Sequence, residues 1–252
     1  MTDISLEEIL KLSFQSNARN MYTAMPCIVL TVYGEGKNQQ IDVQPTVNTL
    51  YKDDTDKEHT VIMGVPVIFP ASRTSMLSFP INVGDTVLCV WSSRGIDNFK
   101  IGTGRPTRPT DYRKFDKRDA IAIPGLFPFS KALNDPAKRN LAHSTRDAVL
   151  THNIGTSGEC EVRLKESGDI QLNTPNNKVI VNCKDAVVNA TTVDVNATSM
   201  TVDVANSTWS GSITHTGDYD QTGNYTLNGI VINTHKHPGV MAGPSSTGAP
   251  IN

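Results

Sequence analysis

The apolar positions along this chain change period twice, and the two changes divide it into three kinds of structure. Ser5-Leu6-Glu7-Glu8 is a capping box, after which Leu6, Ile9, Leu10 and Phe14 recur at helical spacing. That stripe predicts one amphipathic helix over about residues 6–16, docked on a neighbour. From Met25 the period drops to two. Cys27–Tyr33 runs into a glycine-rich hairpin turn at 34–38, and Gln40–Val47 alternates with Ile41 and Val43 inward. Val61–Pro70 is a buried strand interrupted by proline, which predicts an edge position or a bulge. Pro80–Asp85 turns the chain into a further strand, Thr86–Trp91. Four or five short strands with glycine at the turns predict a small antiparallel barrel of the OB type.

Gly102-Thr103-Gly104-Arg105-Pro106-Thr107-Arg108-Pro109 can continue neither a helix nor a central strand. It opens an irregular connector. The apolar, proline-stiffened run Asp119–Phe129 within it predicts a domain or subunit interface. The last hundred residues alternate again, but with small residues: Glu161–Lys165, Asp169–Asn173, Val179–Cys183 and Val193–Ala197. Met200–Val204 repeats the Val-Asp-Val unit nine positions on, an odd offset that needs a bulge or turn at Thr198-Ser199. Imprecise repeats of short strands predict a solenoid or β-helix. One chain folding these strands would enclose too thin a core to offset its ordering entropy. Three chains wound about one axis would bury each Val edge and pair away the exposed strand edges.

The expected fold is therefore all-β, organised as an N-terminal helix (1–20), an OB-fold domain (21–105), a connector (106–158), an intertwined homotrimeric β-helix (159–230) and an apex (231–252). Charge and composition exclude several alternatives. A net charge of −2 gives no footprint for nucleic acid, and the basic cluster Lys100, Arg105, Arg108, Arg113, Lys114, Lys117 and Arg118 is diluted by Asp111, Asp116 and Asp119. Tyr33, Tyr51, Phe69 and Trp91 could stack bases, but few Lys or Arg lie among them. Aromatic residues make up 6%, which argues against a large enzyme core throughout. The four cysteines are widely spaced and read as reduced thiols of a chain made in the cytosol. The N-terminus carries no signal-peptide pattern, and no apolar run is long enough for a spanning helix. Four Asn-x-Thr sequons arise by chance in a stretch this rich in both residues.

The candidate chemistry lies near the end, in Thr234-His235-Lys236-His237-Pro238-Gly239-Val240. Histidines at i and i+2 on an extended chain share one face. The remaining four, His59, His143, His152 and His215, are each isolated in sequence, so the nearest further ligands are the same pair on sister chains. Two imidazoles from each of three chains make six, which suits an octahedral ion rather than tetrahedral zinc. Iron(II), one per trimer, leads on this chemistry, with nickel and cobalt left open. Six protein ligands leave no open position, so such a site is structural. A metalloenzyme of the cupin type also uses H-x-H, but it needs a following Glu and a later His, and neither follows His237.

Several of these residues closely resemble the central spike proteins of contractile-tailed bacteriophages. Ile41-Asp42-Val43-Gln44-Pro45, Val65–Pro70, Phe79-Pro80 and Val83-Gly84-Asp85 are similar to that family's N-terminal OB domain. Ile121-Ala122-Ile123-Pro124-Gly125 resembles its connector, and residues 160–230 resemble its intertwined β-helix. The end resembles its apex motif T-H-x-H-x-x-V, continuing through Gly243, Thr247 and Pro250. The resemblance implies iron bound by His235 and His237, and a non-enzymatic, mechanical function in the virion. The OB domain would attach to a baseplate hub, and the needle would be driven through the host outer membrane when the sheath contracts. Such a particle would assemble in the bacterial host cytoplasm. The puncturing tip of a related secretion machine would share the same plan.

Overall fold

Ser5 begins the helix as the capping pattern requires: its Oγ accepts from the Glu8 amide at 3.2 Å, and its carbonyl accepts from Ile9. The helix, α1 (Leu6–Arg19), runs three residues past the expected end because Asn17, Ala18 and Arg19 include no breaker. Its stripe stays largely exposed. Leu6, Ile9, Leu10, Leu12 and Phe14 are 48–75% exposed. The computed structural model describes residues 5–19, 21–34, 39–133, 135–234 and 243.

Alternation then builds β1 (Ala24–Tyr33) and β2 (Gln40–Pro45), a short hairpin of β3 (Thr49–Leu50) and β4 (Asp56–Lys57), then β5 (Ile62–Pro66), β6 (Thr86–Trp91) and β7 (Ala120–Pro124). Five of these form one antiparallel sheet in the order β5-β2-β1-β6-β7. The sheet is a curled half-barrel, open but for one isolated parallel bridge between Val67, just past β5, and Ala122 of β7, where the Ile68 amide donates to the Ala122 carbonyl at 2.9 Å. The concave face holds small side chains that a tight curl can admit: Cys27, Val29, Ile41, Val43, Val87, Cys89, Ala120 and Ala122 are all 0% exposed. β7 was expected in the connector. Its alternating Ala-Ile-Ala-Ile lies instead against β6 and completes the sheet, because Ala120 and Ala122 are small enough to face inward.

Two bulges set the curl. Leu30 is looped out where Val29 and Thr31 pair with consecutive residues of β2. In β5, Met63 and Gly64 oppose the single residue Asp42, and Gly64 has φ +64°, which glycine adopts without strain. Asp42 is consequently buried, unlike the outward position its alternation predicts. Its Oδ1 accepts from the Gly64 amide at 2.9 Å and its Oδ2 from the Tyr33 hydroxyl at 2.6 Å. The proline-interrupted stretch Val61–Pro70 thus contains an edge strand carrying a bulge, for the reason the sequence predicts.

A short helix, α2 (Asp97–Lys100), lies between β6 and β7, and after β7 an irregular connector leads to β8 (Ala148–His152), β9 (Cys160–Leu164) and β10 (Ile170–Asn173). These form a separate antiparallel sheet, ordered β10-β9-β8. Contacts divide the chain into two units, one through Cys183 and one from Lys184. In the second, strands are confined to a hairpin of β11 (Thr226–Leu227) and β12 (Ile230–Val231), among the described residues. The intertwined homotrimeric β-helix expected over 159–230 is not formed by one chain. β9 and β10 are paired, but the Val-rich repeats that follow have no strand partner among the described residues.

Candidate functional site

From Lys178 to Asn224 no backbone amide or carbonyl bonds to another backbone group among the described residues. Along this stretch Val179, Ile180, Val181, Val187, Val188, Val193, Val195, Met200, Val202 and Val204 are 55–78% exposed. Apolar side chains this numerous are rarely left in water along a backbone with no strand partner. The chain is organised again only at its far end. Thr226 pairs with Val231 and Leu227 with Ile230, and Asn228 (φ +49°) and Gly229 (φ +82°) make the two-residue loop. Positive φ at both positions is a type I′ turn, whose twist matches that of paired strands. The Asn-Gly dipeptide was the legible signal for this hairpin, and the sequence reading passed over it.

Beyond the hairpin the chain folds back on itself. Ile232 donates to the Tyr225 carbonyl at 2.8 Å, Thr234 to that of Val231 at 3.3 Å, and the Asn233 amide group donates to the Gly223 carbonyl at 3.4 Å. Thr234 is the last residue described before the histidine pair, and His235 and His237 lie outside the described residues. The other four histidines are apart from one another. His59 bridges the Tyr22 and Thr49 hydroxyls, His143 lies 3.3 Å from Arg139 Nη1, His152 ends β8, and His215 contacts the Asp218 carbonyl at 3.0 Å. Among the described residues no group of three or more His, Cys, Asp or Glu is placed to hold a metal.

Four residues of the basic cluster, Arg113, Arg118, Lys100 and Lys117, are engaged in internal contacts. Arg113, with its side chain 10% exposed, bonds Asp119 at 2.7 Å, Asp111 at 2.9 Å and Asp97 at 2.5 Å. It is therefore a buried clamp rather than part of a solvated face. Burial raises the Asp119 pKa, but the Arg113 guanidinium and the Ile96 amide outweigh it and hold the carboxyl below its ordinary range. Hydrogen bonding to Asp119, Asp97 and Asp111 raises Arg113 in turn. Arg118 pairs with Asp116 at 2.8 Å, Lys100 reaches the Arg118 carbonyl, and Lys117 reaches Thr60. Trp91 points into the core and donates its Nε1–H to the Lys117 carbonyl at 3.1 Å. A groove of free cations beside stacking aromatics, which single-stranded nucleic acid needs, is not what these residues build.

Two family models match the chain. Residues 25–125 match the Phage protein Gp138 N-terminal domain, and residues 229–250 match the GpV Apex motif. The first spans the half-barrel from β1 to β7, and the second begins inside the β11–β12 hairpin and includes His235 and His237. No curated protein matches the chain. The chain is thus a spike-like structural protein of the phage tail or baseplate.

Proposed function

We propose that three copies of this chain intertwine beyond the head into a needle that is pushed through the host outer membrane when the tail contracts. The observation that carries this reading is the Lys178–Asn224 stretch, where apolar side chains stand exposed on a backbone without partners. Ordering such a residue costs about 1–2 kcal/mol of backbone entropy. Burying a Val or Ile against a sister chain returns about 1.5–3 kcal/mol. A single chain has no second surface to bury them on, whereas three do. Asp194, Asn196, Asp203 and Thr201 alternate with those valines and would coat the outside, so the needle would cross lipid by force rather than dissolve in it. Among the described residues no helix is long and apolar enough to cross a membrane.

The donor set at the tip fits a closed ion site only in an oligomer. Two imidazoles per chain cannot complete an octahedral shell, and six from a trimer can. His235 and His237 would hold the ion, iron(II) in this reading, and it would supply a crosslink that fixes three chain ends at one point. The half-barrel, completed as an OB-type domain, would seat the needle on a baseplate hub, in line with its likeness to the Gp138 N-terminal domain.

Solution mass together with metal per particle tests both parts. The wild-type chain is expected as a trimer with one iron. The double variant His235→Ala/His237→Ala is expected as a trimer without it. Unchanged iron in the variant would remove the histidines from the site, and a monomeric wild type would remove the needle.

A further inference from the structure

The segment joining β6 to β7, residues 92–119, is long for a link between neighbouring strands and is regular only over α2 and one turn at Lys117–Asp119. Connections beyond about 12–15 residues are uncommon in compact domains and usually serve a function. This one is also held in place. The Ser92 amide donates to the Asp119 carbonyl at 3.0 Å and closes its base, and Arg113 draws Asp97, Asp111 and Asp119 together from three points along it. Asn98 Nδ2 donates to the Arg108 carbonyl at 2.8 Å, and the Thr110 hydroxyl donates to Asp97 at 3.1 Å. These bonds tie the middle of the loop to its base.

Outward, the loop shows apolar and cationic side chains together. Phe99, Ile101 and Tyr112 are 57–96% exposed. Arg105, Arg108 and Lys114 are exposed too, and none of them has an acidic partner among the described residues. The loop holds eight Lys and Arg against four Asp, in a chain whose net charge is −2. Its sign is therefore opposite to that of the whole chain. All four Asp are engaged already, three with Arg113 and one with Arg118.

We propose that this loop docks on an acidic face of another baseplate protein, the hub of the reading above, on which the inference rests. Three arguments select that occupant. Arg, Tyr and Phe are the side chains enriched where proteins meet. A copy of this chain would bring identical cationic loops together, and like charges in contact repel. Single-stranded nucleic acid needs a groove of stacking rings, and Ile101, 86% exposed, stacks no base. The clamp at Arg113 adds to the fit, because a loop ordered beforehand loses little entropy on docking.

Charge reversal in assembled tails tests the inference. Arg105→Glu/Arg108→Glu/Lys114→Glu is placed in the phage genome, and copies of the chain per purified tail are counted by quantitative mass spectrometry. Solution mass and unfolding of the isolated variant are measured beside it. The isolated variant is expected to match wild type while its content in tails falls at least about tenfold. Lys52→Glu/Lys57→Glu/Arg73→Glu, which reverses three exposed cations of other head segments, is expected to leave that content unchanged. Unchanged content in the loop variant, or an equal loss in both, overturns this surface and leaves seating on a hub standing. Photocrosslinking in wild-type tails, from benzoylphenylalanine in place of Tyr112, should reach an acidic segment of another tail protein. A crosslink confined to sister copies overturns the choice of partner. No crosslink to another protein from Tyr112 or from Tyr51 removes the hub reading itself. Isolated chain that binds phosphatidylglycerol vesicles, with loop-variant content in tails unchanged, overturns the inference in favour of lipid. Should the reversal fail to fold, Arg105→Ala/Arg108→Ala/Lys114→Ala takes its place, with an expected loss of at least about threefold.

Discussion

Val43 and Val195 sit in the same kind of sequence, an apolar residue flanked by polar ones, yet one is 0% and the other 65% exposed. The difference is not in the residues but in what the chain can bring to them. In the half-barrel, β1 has β2 on one side and β6 on the other, so the strands close a concave pocket over their own valines. In the tail each repeat has solvent on both edges. A local pattern therefore states which face wants to be covered and leaves open whether the same molecule can cover it.

That contrast can be broken experimentally. The largest effect is expected from Val202→Asp/Val204→Asp. Two carboxylates per chain on the buried side of a needle would carry an uncompensated desolvation cost in all three copies. The trimer should be lost in sedimentation while the head keeps its cooperative unfolding transition. A trimer that survives would mean the tail valines are not what holds copies together.

Arg113→Met attacks the head alone. It leaves Asp119, whose side chain is fully buried, without its guanidinium, an arrangement that costs about 3–5 kcal/mol. The head should unfold at lower denaturant concentration with the particle mass unchanged. A shift below about 1 kcal/mol would show that the clamp is replaceable.

Acid should act more gradually. Asp119 and Glu159 both have folded pKa values below their unfolded ones, in each case because hydrogen bonds outweigh burial. Their contribution is complete above the unfolded carboxylate pKa, about 4, and is lost as pH falls through the lower folded values. Stability of the first unit should therefore decline on acidification below about pH 4, and Glu159→Gln should flatten part of that decline. A profile unchanged by Glu159→Gln would place the acid sensitivity elsewhere.

Much of the head was legible in advance because its signals are local. Ser5 and Glu8 mark the helix start, alternation gives β1, β2 and β6, and Pro66 marks the edge strand. β7 was not legible. Ile121-Ala122-Ile123-Pro124 suits a docking segment as well as a strand, and only its register on β6 separates the two. Arg113 looked like one charge in a diluted basic run, since nothing in spacing reveals that Asp97, Asp111 and Asp119 converge on it. β8 lies within the stretch expected to be irregular connector, because Ala148, Val149 and Leu150 are consecutive apolar residues and no two-residue period marks the strand.

What the sequence determined by itself is the alternation of most strands, the bulge at Gly64 and the turn at Asn228-Gly229. These depend on dihedral preferences and on the two-residue period of a strand, which neighbours do not alter. The tertiary structure alone decided which faces close. It sealed the valines of β1 and β2 inside a curled sheet and turned the polar side of β8–β10 toward the connector. It left the apolar side of that sheet and of the tail outside, because burial depends on surfaces distant in the chain, and the described residues offer none to these.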